Sequence, residues 1–465
     1  MPAEPHITIV GGGFSGAAVA IHLLGLMPEG LRVTLLEPRT VPGAGVAYST
    51  AEPSHRINVP ASRMQLAGEE EGAFDRWYRS QPAFADDPQA RREDGSLYPQ
   101  RGQFGRYVSQ RFAEAVRTSG GRLVHLREQA LDFDESAITT DTGRRLQSDL
   151  LILAVSHPPP ALPRLAVPFH DHPALIANPW RADTLTPIAA DARVAVMGTG
   201  LTMADCIATL SRLGHRGPIT AFSRRGLLSR GNTGSAAAPW PGEYDQGSLR
   251  QRLRLVRADV LRAAEQGLPW QVVLDAVRQQ GQRIWQTLTF ADRQRFLRHL
   301  RRYWDVHRYR IAPQVAEVIE QRQREGSLKV LAARLTALES EARSLTLTLT
   351  LREGERIALT VDRLILTTGP AHGGLIDSQP LLRELARRGL IRADKLGLGL
   401  DVDAHSRAIG REGRAIPNLL ISGPAARGYF GELMGLPQVA DHAAAVAAEA
   451  LQALGIGQSA RCPTI

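Results

Sequence analysis

The stretch Ile7-Thr8-Ile9-Val10-Gly11-Gly12-Gly13-Phe14-Ser15-Gly16, continued through Ala17–Leu26 to Arg32-Val33-Thr34-Leu35-Leu36-Glu37, decides the fold. Ile7–Val10 is apolar and β-branched, as a strand covered on both faces requires. It enters a turn of the form GxGxxG through Gly11, Gly13 and Gly16. Gly11 allows the tight turn, Gly13 brings the backbone close to a pyrophosphate, and Gly16 lets the next helix pack on the strand. The helix Ala17–Leu26 aims its N-terminal N–H groups and positive dipole end at the phosphates. A second strand, Arg32–Leu36, ends in Glu37, where a carboxylate accepts ribose hydroxyls and repels a 2′-phosphate. Strand, turn, helix, strand and acid in register predict an α/β dinucleotide-binding fold whose first nucleotide is FAD or NAD rather than NADP.

The same logic recurs further on. Arg193–Met197 reads as a strand, Gly198-Thr199-Gly200-Leu201-Thr202-Met203-Ala204-Asp205 as a second glycine turn into a helix, and Ile219–Phe222 as the following strand. Met203 stands in the third glycine position, which predicts a looser strand–helix contact or a shifted register. This second strand ends in Ser223-Arg224-Arg225 instead of an acid. Two guanidinium groups and a hydroxyl there hold a 2′-phosphate through charge-assisted hydrogen bonds, so the second site is expected to take NADPH.

Between and around these units, Gly45–Ser49 and His55–Leu66 are irregular, and such segments after the second strand run beneath the reactive ring of a dinucleotide-fold cofactor. Phe104–Arg117 reads as a helix, Arg122–Leu126 as a third strand, Leu131–Leu146 as a β-meander, and Asp149–Ala154 as another buried strand. Pro158–Trp180 is a proline-rich linker. Residues 248–326 carry helical periodicity, with Phe296, Leu300, Tyr303 and His307 on one stripe that is expected to be core. Trp304–Arg308 is expected to pack and ion-pair. Ser344–Leu351 and Arg356–Val361 alternate as a hairpin, and Asp362–Pro370 repeats the strand-then-turn ending of Asp149–His157. Asn418–Pro424 is a strand ending at a glycine, followed by Leu436–Asp441 and an alanine-rich helix whose N-terminus can stabilise negative charge on a reduced ring.

Hydrophobic residues make up 43% and charged residues 22% of the 465, as in an ordinary globular protein. Net charge is +9, and Lys329 and Lys395 are the only lysines among 56 basic residues, a compositional habit rather than a nucleic-acid footprint. The chain has no RNP, zinc or helix-turn-helix pattern. Cys206 and Cys462 form neither a disulfide framework nor a metal-ligand spacing, and Cys206 reads as a core residue. Ala443–Ile456 is too short and too polar to span a bilayer, no basic amphipathic anchor stands out, and the first strand leaves no room for a signal peptide, so a cytoplasmic location is expected. Homo-oligomerisation is left open.

With both glycine turns, the two strand-to-hinge endings and the C-terminal helix, the chain resembles the bacterial FAD/NAD(P)-binding flavoproteins related to flavin-containing N-hydroxylating monooxygenases. The resemblance is carried by Gly11–Gly16, Gly45–Ser49 with Asn58–Met64, Gly198–Asp205, Trp304–Arg308 and Gly423–Asp441. It implies two Rossmann-like domains: an FAD domain of residues 1–160 and 355–465, and an inserted NADPH domain of 185–354 with a helical subregion at 248–326. It implies that Gly11, Gly13, Phe14, Ser15 and Gly16 hold the FAD pyrophosphate, Glu37 with Arg39 the adenosine ribose, and the Ala130 backbone the adenine. Asn58–Gln65, including Val59 and Met64, would line the isoalloxazine, with Gly423, Pro437, Gln438 and Val439 closing its far side. Gly198, Gly200, Thr202, Ser223, Arg224 and Arg225 would bind NADPH, and Asn58, Arg63, Gln65 and Asn232 would control the flavin edge. The implied reaction is monooxygenation of a small amine, amino acid or hydroxylamine by molecular oxygen through a flavin C4a-hydroperoxide. The alternatives are an NADPH-dependent reductase or oxidase passing electrons to a quinone, oxygen or partner protein, and a flavin-bound sensor. Two departures stand out. The ribityl-contacting Gly-Asp is Gly423-Pro424 here, and the ketone-oxygenating FxGxxxHxxxW pattern is absent, with Phe169, His172 and Trp180 wrongly spaced.

Overall fold

The computed structural model describes residues 4–456 except 28, 156, 159 and 233–236, so Ser156 and Cys462 lie outside the described residues. Two sheets dominate. The first has six strands in the order Arg407–Ile409, Ala415–Ile421, Leu150–Leu153, His6–Val10, Arg32–Leu36 and Leu123–Leu126. All of its pairings are parallel except that of the edge strand Arg407–Ile409. Its central strand His6–Val10 is buried throughout, which is why that run is continuously apolar rather than alternating. Phe14–Leu26 covers one face and packs against Arg101–Thr118 and the C-terminal helix Gln438–Ala453. A three-stranded antiparallel meander, Ala130–Phe133, Ala137–Thr140 and Arg145–Gln147, sits beside this sheet as the alternation predicts.

The second sheet has seven strands in the order Arg356–Val361, Leu345–Leu351, Leu328–Ser340, Ile219–Ser223, Val194–Met197, Arg363–Leu366 and Leu175–Ile176. This membership moves the expected boundaries at 185 and 355. Leu175–Ile176 already pairs with Leu364 and Ile365, and the hairpin strand Arg356–Val361 pairs with Leu345–Leu351, so both ends of the inserted unit extend further than the spacing suggested. The physical reason is that a parallel sheet needs a neighbour on each side of Arg363–Leu366, and the proline-rich linker supplies one.

Helices occupy 249–265, 271–279, 281–287, 290–295, 301–308 and 313–324, with a π-turn at 296–300. The two units are locked by buried polar contacts. Arg101 on the first unit donates to both carboxylate oxygens of Asp205 at 2.9 and 3.1 Å, and also to the Arg56 carbonyl. Arg308 pairs with Glu432 at 2.7 Å, and at the surface Arg212 pairs with Glu52 at 2.6 and 2.7 Å. No helix among the described residues is long and apolar enough to cross a membrane.

Candidate active site

Gly11 has φ +101°, and a methyl built on it would lie 2.4 Å from the Ala154 carbonyl oxygen. A methyl on Gly16 would lie 1.9 Å from the Gly11 oxygen, so helix and turn touch backbone to backbone. Gly13 is the N-cap of Phe14–Leu26, with no side chain capping it and no acid in the first turn. Its donors are therefore left for an outside acceptor, as a pyrophosphate requires. Glu37 is 5% exposed; its Oε2 accepts from the Gly12 N–H at 2.8 Å, and Arg39 donates to both oxygens. Burial opposes its ionisation, but the Arg39 side chain and the N–H groups of Arg39 and Gly12 outweigh it and hold the carboxyl below the usual range.

The second turn has the same plan. Gly198 has φ +121° and abuts Thr367, and Gly200 caps Leu201–Arg212 with no side-chain cap and no acid nearby. Ser223 Oγ lies 2.8 Å from Thr199 Oγ1 and accepts from the Gly226 N–H, so its hydroxyl braces the loop. Arg225 donates to the Tyr303 hydroxyl at 2.9 Å. Arg224 and Arg225 face Arg302, whose pKa is lowered by burial and then by these two like charges. Three cations gathered without a carboxylate favour a phosphate among them.

A cavity of about 520 Å³ opens where the two units meet. Its floor is made by the two strand-to-hinge crossovers: His157 and Pro160 follow the first sheet, Thr367 and Gly369 follow the second, and Pro160 bridges to Pro370. Asn58, Val59, Arg63, Met64, Thr202 and Asn232 all line it. The Asn232 amide donates to the Asn58 carbonyl at 3.0 Å, joining two residues far apart in sequence. Arg278 reaches the strap Gly435–Gln438, donating to the Leu436 carbonyl and to Gln438 Oε1 at 3.4 Å. Burial and the neighbouring Arg308 charge push its pKa down to about 9. His157 is pushed down to about 4 by burial and Arg427, and is therefore neutral.

Residues 8–158 match the model of an FAD-NAD(P)-binding family. No curated protein sequence matches the chain. Among solved structures, the L-lysine 6-monooxygenase of Pseudomonas syringae superposes with TM-score 0.63 at 17% identity, covering 96% of this chain and 99% of that one. The reduced ornithine hydroxylase PvdA of Pseudomonas aeruginosa gives TM-score 0.61 at 15% identity, covering 97% and 99%. The ornithine N-hydroxylase KtzI of Kutzneria sp. 744, solved with reduced FAD, NADP+ and L-ornithine, gives 0.61 at 14%, covering 96% and 98%. The chain has the fold of these N-hydroxylating monooxygenases.

Within this N-hydroxylase fold, several expected residues sit elsewhere. Gln65 does not line the cavity; it accepts from the Gly72 N–H at 3.0 Å and donates to the Glu69 carbonyl, bracing its own loop. Phe14 is buried against Phe104, with ring centroids 5.9 Å apart. Val439 points into the core and its N–H is taken by the Gly435 carbonyl, while Pro437 and Gln438 hold the strap. Gly423, at φ +79°, is covered instead by Ser15, and its N–H donates to His442 Nδ1 at 3.0 Å. Ala130 pairs with Thr140 in the meander, 4% exposed. The stripe Phe296, Leu300, Tyr303 and His307 is not core: it lines a second cavity, and Tyr303 is 41% exposed. Helical period reveals which residues share a face, but not whether that face meets protein or space. Trp304–Arg308 does ion-pair as expected, through Arg308 with Glu432 and Arg301 with Asp305, yet it also lines a cavity. The sequence reading missed Arg278, Tyr309 and Met434; only the density of arginines around 298–310 hinted at them.

Proposed function

We propose that the protein is an FAD- and NADPH-dependent monooxygenase that N-hydroxylates an amine, converting R–NH2, O2, NADPH and H+ into R–NHOH, NADP+ and water. The observation that carries this reading is the cavity between the two units, onto which both hinge crossovers and the start of the second glycine-turn helix (Leu201, Thr202) open, lined by the Asn58–Asn232 pair and by arginines. The superposed hydroxylases, which act on lysine and ornithine, support the reaction class. Bound FAD would accept a hydride and activate oxygen there. Gly11, Gly13 and Gly16 would hold its pyrophosphate on the open helix N-terminus, and Gly198, Gly200, Thr202, Arg224 and Arg225 would hold NADPH. Arg63 and Arg278 supply positive charge where a reduced ring would carry negative charge. His157 and Tyr309, kept neutral by burial, add no competing proton source at neutral pH. The prolines and the Leu436 strap narrow water access. A cytoplasmic setting suits a consumer of NADPH.

The test is stoichiometry. Hydroxylamine formed in near-equal amount to NADPH oxidised, with an amine present, is the expected result. Hydrogen peroxide alone, with every amine tried, would place the protein among oxidases and shift attention to other electron acceptors.

A further inference from the structure

Beside the cavity just described lies a larger one of about 800 Å³, between the helices 249–265, 271–287 and 296–308. The two cavities share Tyr309 and Met434 as a common wall. The body of the larger cavity is aliphatic, with Leu253, Val256, Val260, Leu274, Val277 and Ile284 around it. Arg301, Asp305, Arg427 and Glu432 cluster near the shared wall, and Arg252 and Arg257 also line the cavity. Glu432 is occupied by Arg308. Arg427 is 4% exposed, donates through Nε to the Leu398 carbonyl, and leaves Nη2 buried with no partner. Among the described residues, the Asp305 carboxylate has one ion-pair partner, Arg301, at 3.5 Å. Burial lifts its carboxyl to about 6, with Arg301 and Arg427 opposing and Glu432 adding to the rise.

We infer that this space is the substrate chamber, and that it takes a lipophilic primary amine whose apolar body lies among the aliphatic side chains and whose nitrogen lies at Asp305, beside the shared wall. The assignment rests on the N-oxygenation reading. It sets the chain apart from hydroxylases of diamines and diamino acids, because a second ammonium on the substrate would be stranded in the aliphatic body and face Arg252 and Arg257. Leaving an unpaired charge there is strongly unfavourable, whereas every methylene buried adds to binding. Arg252 is held against the chamber wall, with Nε and Nη1 donating to the Gly247 and Ile284 carbonyls and the Thr287 hydroxyl. Arg257 is exposed, and a second ammonium near it would be repelled.

The FAD-loaded full-length protein is titrated with octylamine, 1-octanol, cadaverine and L-lysine by calorimetry, with the fluorescence of Trp285 and Trp304, which line the chamber, as a second signal. Octylamine should bind about tenfold or more tighter than cadaverine, lysine and octanol. In Asp305→Asn the preference for octylamine over octanol should shrink to under about threefold, a ratio that a merely structural role would not change. Val256→Trp, which fills the chamber, should weaken octylamine about tenfold with FAD content retained. Tighter binding of cadaverine or lysine, or octylamine binding untouched by both variants, overturns the assignment. Octylamine that binds as stated but yields only peroxide upholds the chamber and defeats the oxygenation reading. Lysine hydroxylation without octylamine binding does the opposite.

Discussion

Gly16 and Met203 occupy the same place in the two glycine turns, and the contrast extends through both sites. A methyl on Gly16 would collide with the Gly11 carbonyl, so the first helix lies directly on its turn. Met203 is 1% exposed, so the second helix seats a buried side chain at this place. The first cradle is also covered: a methyl on Gly423 would meet Ser15 Oγ at 2.4 Å, and Gly423 is itself fixed by His442. A methyl on Gly200 would meet nothing. The first turn is packed backbone to backbone, and the second is open at Gly200.

Gly16→Val should break the comparison most severely, costing more than about 4 kcal/mol and abolishing FAD retention. Met203→Ala should cost about 2–3 kcal/mol as a cavity and keep its flavin. Flavin absorbance of the purified proteins and their urea midpoints check both, and equal flavin loss would erase the distinction. The His442 clasp gives the next effect. Burial pushes His442 down to about 4, so its neutral ring accepts from the Gly423 N–H and donates from Nε2 to Ser406. The unfolded chain takes up that proton near pH 6.5. Stability is therefore full above about 6.5 and falls as the pH drops towards 4, by about 3 kcal/mol. Unfolding curves from pH 7.5 to 4.5 should show this loss, and His442→Gln should flatten it. The smallest effect sharpens the second site: Arg224→Ala with Arg225→Ala should raise KM for NADPH about 30-fold, equivalent to about 2 kcal/mol, and KM for NADH less than about threefold. Equal losses for both cofactors would sink the 2′-phosphate assignment.

The turns were legible because each glycine answers a local backbone demand, and Glu37 and Arg225 sit at fixed offsets from them. The cavity was legible in part. Asn58 and Met64 follow the second strand closely, and they and Asn232 were suggested by the family resemblance. Arg278, Tyr309 and Met434 come from a helix, a helix end and a strap whose meeting depends on how two units dock, and no local spacing encodes that. Gln65 was misplaced for the same reason: its neighbours face the cavity, but its own amide closes a turn. The edge strand Leu175–Ile176 escaped notice because two residues carry no period.

The pairing of Ala415–Ile421 with Leu150–Leu153 has a consequence for biosynthesis. The whole second sheet is translated between these two partners. At about 5–20 residues per second, a ribosome leaves one side of Leu150–Leu153 unpaired for some tens of seconds. Gly423 and His442, which cover the first cradle, emerge later still. The nascent chain therefore carries an open β-edge until Ala415–Ile421 arrives, and the first cradle is covered only after Gly423 and His442 have emerged. Added chaperone would be expected to raise the yield of flavin-loaded protein more than added riboflavin would.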